Sequence, residues 1–231
     1  MKMEILADPE RLARRAAEWL MGMVRGEPSR VAIALSGGST PRGLYRLLVE
    51  EESFPWSRVH WFWGDERFVP AHDPASNYRM AAEAMLSQAP IPPANIHPIL
   101  TEGVGPEEAA SRYERALQSF YGAERLDPAR PLFDVALLGL GLDGHTASLF
   151  PGSVTLEERR RWVVPIFDAN PKRITLTFPA LESARTVVFL VAGKEKRAIL
   201  RRWREGDRSL PAARLHPWGS LLLFADRAAA S

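Results

Sequence analysis

The feature that most constrains this chain is a repeated alternation of short, wholly apolar runs with longer stretches whose apolar residues recur at helical spacing. Val31–Leu35, Val59–Trp63, Phe133–Leu138, Val187–Val191 and Leu221–Phe224 are such runs, with further strands expected at Val163–Phe167 and Ile174–Phe178. Between them, Asp8-Pro9 reads as an N-cap followed by proline in the first helical turn, and Leu12, Ala16, Trp19, Leu20 and Met23 then mark a helix over 9–25. Leu44, Leu47 and Leu48 mark another after Pro41, and the same periodicity predicts helices over 76–88, 106–121, 194–204 and 211–215. Runs without a polar face suit strands buried on both sides. The expected fold is therefore α/β: a single domain over 1–231, with a largely parallel sheet and helices on both faces. Ala89–Gly105, with four prolines, reads as a surface connection.

Composition narrows the function classes. No apolar stretch is long enough to span a bilayer, and charge interrupts the N-terminus too early for a signal peptide, so a soluble, cytoplasmic protein is expected. The absence of cysteine excludes a disulfide framework, a thiolate metal site and a Cys nucleophile. The 30 basic residues barely exceed the 28 acidic ones, and the densest basic cluster, Arg197–Arg204, reads as the outer face of a helix, so no nucleic-acid partner is expected.

In parallel sheets ligands bind beyond the carboxyl ends of the strands, which directs attention to the loops after Leu35, Trp63 and Leu138. The first, Ser36-Gly37-Gly38-Ser39-Thr40-Pro41, combines tight-turning glycines with hydroxyls ahead of a helix. Exposed N–H groups at a positive helix end suit a phosphate, although a capped strand-to-helix turn explains the residues equally well. In the second, Gly64-Asp65-Glu66-Arg67 leads through Val69-Pro70 to Ser76-Asn77-Tyr78; alone, its charges could equally be a surface ion-pair cluster. The third, Gly139 to Gly152, contains a formal G-x-G-x-x-G, but Phe150-Pro151-Gly152 leaves no room for the long helix a dinucleotide needs. Its Asp143-Gly144-His145 triplet projects a carboxylate and an imidazole from one turn, a pairing suited to proton transfer near neutral pH.

Taken together, Ser36–Pro41, Asp65-Glu66-Arg67 with Val69-Pro70, Ser76-Asn77-Tyr78-Arg79-Met80, Gly139–Gly152 and Arg173-Ile174-Thr175-Leu176-Thr177 resemble the 6-phosphogluconolactonase family, within the glucosamine-6-phosphate isomerase/deaminase-like fold group. The resemblance implies a Rossmann-like, glucosamine-6-phosphate deaminase-like fold. It also implies hydrolysis of 6-phosphogluconolactone in the oxidative pentose phosphate pathway. On that basis His145, Asp65, Arg67 and Asp143 are the expected catalytic residues, and Gly37, Gly38, Ser39, Thr40, Arg173 and Lys196 the expected phosphate or substrate contacts. No metal or organic cofactor is expected, and the partner is a small sugar phosphate; the protein itself is expected to be a monomer or small homo-oligomer. The related deaminases follow their Asp-Gly-His with Ile-Ala-Phe-Asn-Glu-Pro, whereas Thr146–Pro151 here puts Phe150 in place of that glutamate. A non-catalytic sugar-phosphate sensor is a third possibility, but such regulators carry a helix-turn-helix in front, and about 30 residues precede the first expected strand.

Overall fold

The computed structural model describes residues 2–231. Its strands are β1 (Lys2–Leu6), β2 (Val31–Leu35), β3 (Val59–Trp63), β4 (Asp65–Arg67), β5 (Val135–Leu138), β6 (Val163–Ile166), β7 (Arg173–Leu176), β8 (Thr186–Val191) and β9 (Ser220–Asp226). Its helices are α1 (Pro9–Gly26), α2 (Ser39–Val49), α3 (Asn77–Ala81), α4 (Pro106–Tyr121), α5 (Phe178–Glu182), α6 (Arg197–Arg204), α7 (Pro211–Arg214) and α8 (Arg227–Ala230). Six strands form one sheet in the order β1-β9-β8-β5-β2-β3, with every pairing parallel. All residues of β2 and β5 are buried, as their unbroken apolar runs require.

The helix start read from the sequence at Asp8 operates as expected. Asp8 accepts the Arg11 backbone N–H at 2.8 Å and starts α1. Gly122, with φ of +78°, closes α4 in the left-handed region.

Several expectations are corrected. The strands expected over 163–167 and 174–178 do not join the parallel sheet; β6 and β7 pair antiparallel with each other, and β7 with β4, in a separate three-stranded sheet. Phe178 begins α5 instead of ending a strand. Asp65–Arg67 is that sheet's edge strand rather than loop. Gly64 joins the two sheets: its N–H donates to Leu35 O and its carbonyl accepts from Leu176 N, both at 2.8 Å. The helix expected over 76–88 keeps α-geometry only to Ala81 and continues as a π-helical turn, Ala82–Leu86. The first strand is β1, hidden from sequence reading by its mixed polar pattern at the sheet edge. The 89–105 segment stays irregular but is not merely superficial. Ile91, Asn95 and Ile99 are buried, and Ile96 bridges to Trp61 on β3.

The order of strands places the site. From β2 the chain moves outward to β3, whereas from β5 it moves the opposite way to β8. Loops leaving the carboxyl ends of adjacent β2 and β5 therefore diverge and open a crevice between them.

Candidate active site

That crevice is a cleft of about 710 Å³. Gly37, Gly38, Ser39 and Thr40 from the β2–α2 turn, Asp65 and Arg67 from β4, Asp143 and His145 from the loop after β5, Arg173 from β7, and Lys196 from the turn before α6 all line it. Residues spread over 160 positions are thus gathered by strand order alone.

The α2 end is built for backbone donation. Gly38 has φ of +106° and provides no side-chain cap, so the first N–H groups of α2 point outward with no intrahelical acceptor. Gly37 is required for a different reason: a Cβ there would lie 1.9 Å from Oδ1 of Asn77.

On β4 the two-residue period separates the charges of Asp-Glu-Arg, placing Asp65 and Arg67 on one face and Glu66 on the other. Glu66 is buried and accepts the backbone N–H groups of Arg67, Asn77 and Tyr78, each at 2.7 Å, together with the Ser76 hydroxyl at 3.1 Å. Burial raises its carboxyl above the ordinary range despite those donors. It ties α3 to β4 and does not face the cleft.

Asn77, quoted in the sequence only as part of a motif, proves central. It is 1% exposed. Its amide donates to Asp65 O at 2.8 Å and to Asp65 Oδ1 at 3.3 Å, while its Oδ1 accepts from Arg67 Nη1. Asp65 Oδ2 accepts from the buried Ser148 hydroxyl at 2.6 Å, and Ser148 N donates to Thr175 Oγ1 at 3.1 Å. The histidine loop is thereby fastened to both β4 and β7. Nothing in the sequence ranked Asn77 or Ser148 above other polar residues, because their importance lies in partners that are distant along the chain.

His145 Nδ1 lies 2.6 Å from Asp143 Oδ1, which also accepts the His145 backbone N–H at 3.1 Å. Partial burial opposes ionisation of Asp143, but the His145 backbone donor, the imidazole charge and the ring N–H outweigh it and hold the carboxyl below its ordinary value. With Nδ1 donating to this carboxylate, Nε2 is left as the basic nitrogen. The turn around the imidazole is tight. Gly141 N donates to His145 O at 2.8 Å, and Gly144 has φ of +88°. Ala147 adopts φ of +49°, unusual for a residue with a Cβ and a mark of a loop held by its surroundings. The Phe150 ring packs 4.8 Å from the imidazole, centroid to centroid.

Arg67 and Arg173 stand directly opposite in the antiparallel β4–β7 register. Burial and then the Arg67 charge pull the Arg173 guanidinium below its ordinary pKa. Its Nη1 is 3.9 Å from Asp65 Oδ2. Among the described residues no three His, Asp or Glu side chains are grouped to hold a metal ion.

Fold and cleft together define an α/β protein that opens a polar ligand site at the carboxyl edge of a parallel sheet, between a helix N-terminus and a carboxylate-backed imidazole. The family model described as glucosamine-6-phosphate isomerases/6-phosphogluconolactonase matches residues 7–223, and the chain belongs to that family. A 6-phosphogluconolactonase of Synechocystis is 44% identical over 206 residues, covering 88% of this chain and 85% of its own. The crystal structure of 6-phosphogluconolactonase from Thermotoga maritima superposes with a TM-score of 0.85 at 32% identity, covering 98% of this chain and 99% of that one. A monomeric glucosamine-6-phosphate deaminase reaches a TM-score of 0.83 at 23% identity, covering 100% and 99%, a likeness of fold alone.

Proposed function

We propose that this chain hydrolyses 6-phospho-D-glucono-1,5-lactone to 6-phosphogluconate, with His145 activating the attacking water. The observation that carries the reading is the Asp143–His145 pair, 2.6 Å apart, facing across the cleft from the uncapped end of α2. Relatives named 6-phosphogluconolactonase, 44% identical in one case, support it. In the deaminase pattern a glutamate follows the triplet; here the Phe150 ring packs beside His145, which supplies no carboxylate for ring-opening chemistry.

Lactone opening is ester hydrolysis. His145 Nε2 accepts a proton from water as the oxygen attacks C1, and returns it to the departing ring oxygen; such acid–base help contributes about 10²–10⁴ in rate. Asp143 holds the ring in the required tautomer and stabilises the imidazolium. Arg67, held by Asn77, which is itself anchored on Asp65, meets the negative charge gathering on the C1 oxygen. The 6-phosphate lies at Gly37–Thr40, with Arg173 and Lys196 as cations lining the same cleft. No step calls for a metal or organic cofactor. The same reading makes the chain one lactonase domain, cytoplasmic, and a monomer or small homo-oligomer. It is supported by a family match over 7–223 and by the lack, among the described residues, of any helix long and apolar enough to cross a membrane.

The test follows acid release from freshly made 6-phosphogluconolactone above its spontaneous rate, with ammonia release from glucosamine 6-phosphate measured in parallel. Catalysed acid release without ammonia is expected. Ammonia release without lactone hydrolysis would replace this reading with a deaminase.

A further inference from the structure

Asp226 is a buried carboxylate that the proposed mechanism does not use. It ends β9, between β1 and β8, and is 1% exposed. Taking a carboxylate out of water is costly unless strong donors meet it, so its partners show what it is for. Those partners are backbone N–H groups on two different elements. Gly193, in the turn after β8, donates to Oδ1 and Oδ2, each at 3.1 Å. Ala229 in α8 donates to Oδ1 at 2.8 Å. Capping α8 needs only the second contact, and one oxygen suffices for it, as at the start of α3, where the Ser76 hydroxyl accepts Arg79 N. The hold on Gly193 requires another account.

Gly193 opens the turn that brings Lys196 to the cleft. Its φ is +101°, and a Cβ there would lie 2.4 Å from a carboxylate oxygen of Glu195, so the chain follows a path reserved for glycine. Gly193 O then accepts Lys196 N at 3.0 Å, closing a single 3-10 turn over Lys194–Lys196. One such turn is marginal by itself and keeps its place through what it is tied to. The tie runs from the Asp226 carboxylate to Gly193 N, and from Gly193 O to Lys196 N. Helix α8 braces the following segment, with Ala228 O accepting Arg197 Nε and Ala230 O accepting Arg204 Nη1, both at 3.4 Å.

We propose that Asp226 is a positioning residue for the substrate: through Gly193 it sets where the turn stands at the cleft, and so where the Lys196 ammonium meets the bound sugar phosphate. The inference rests on the lactonase reading above, in which Lys196 is one of the cations lining the cleft. The lysine charge rides on a flexible four-carbon stem, so the affinity it supplies depends on how firmly its backbone is fixed beforehand. Loss of the carboxylate frees the turn. The cost then falls on substrate affinity more than on proton transfer, because His145 stands on a different loop with its own carboxylate.

The test measures KM and kcat for 6-phosphogluconolactone in wild type, Asp226→Ala, Asp226→Asn, Lys196→Met and the Asp226→Ala/Lys196→Met double variant, each assayed well below its melting temperature. Asp226→Ala should raise KM at least about fivefold while kcat stays within about threefold, the pattern of lost binding and not of lost chemistry. Asp226→Asn, which keeps one oxygen for the two donors, should fall between wild type and Asp226→Ala. Because both changes remove the same contact, KM of the double variant should lie within about twofold of that of Lys196→Met. A purely structural cap predicts a lower melting temperature with KM unchanged in Asp226→Ala and Asp226→Asn, and that result overturns the proposal. So does an Asp226→Ala effect that persists in full in the Lys196→Met background. If Asp226→Ala does not fold, Asp226→Asn is read by the same criteria, alone and combined with Lys196→Met. These outcomes leave the lactonase reading intact, whereas a wild type that does not hydrolyse the lactone removes that reading and this proposal with it.

Discussion

His145 is constrained from two directions, and each constraint carries a measurable consequence. In the proposed mechanism its ring exchanges the proton, so His145→Ala should lower the enzyme-dependent rate at least about a hundredfold in a protein that remains folded. Steady-state assays beside a circular dichroism spectrum check this. The second constraint is Gly141, where a Cβ would lie 2.1 Å from His145 Nδ1 and 2.7 Å from Asp143 Oδ1. Gly141→Ala must push the imidazole or its carboxylate aside, and a displacement near 1 Å costs on the order of 10² in rate. A drop in kcat of at least about tenfold is expected; activity within twofold of wild type would show that the pair tolerates movement. The sequence displayed both glycines around the triplet, but only the folded turn reveals that Gly141 is needed for space and Gly144 both for its backbone angle and for room beside Leu210.

At the scale of elements, the site depends on the small antiparallel sheet as much as on the large parallel one. β4 carries Asp65 and Arg67, β7 carries Arg173, and Asn77 at the start of α3 ties the first two together. Removing its amide takes the side-chain donor from the buried Asp65 Oδ1, a loss worth about 1–3 kcal/mol, and leaves Arg67 Nη1 with Ala75 O as its remaining acceptor. Asn77→Ala should therefore lower the melting temperature and also reduce kcat/KM at least about tenfold, measured well below the new melting point. Full activity at that temperature would mean that Arg67 holds its place without the amide. Helix α3 owes its position to Glu66, whose side chain points away from the cleft because neighbouring strand residues face opposite ways. A loop assignment for Asp65–Arg67 could not separate those roles; the strand does.

Across the whole molecule, a second histidine system, away from the cleft, ties stability to pH. His60 Nδ1 and His97 Nε2 lie 3.0 Å apart, with Phe62 stacked on His97 at 4.3 Å. Burial, then the neighbouring His60, pushes the His97 imidazole down to about 4 from an ordinary value of 6.5. Between those values the unfolded chain binds a proton that the folded protein refuses, so stability falls as pH drops from about 6.5 towards about 4. Thermal unfolding across that window should show a smaller loss in His97→Gln than in wild type; parallel curves would remove His97 as a cause.

The unbroken apolar runs, helix end signals and glycine loops were enough to settle the α/β class and most element positions, and to single out ten residues that line one cleft, because these depend on local periodicity and on short motifs. The tertiary structure decided what local pattern cannot encode. β6 and β7 look like any buried strands until their partners are known, and it is pairing that moves them into a second sheet with β4. Asn77 and Ser148 are ordinary polar residues in sequence. Their weight comes from the groups that strand order brings beside them, and hydrogen bonds and charge convergence exist only between groups that the fold has already brought together.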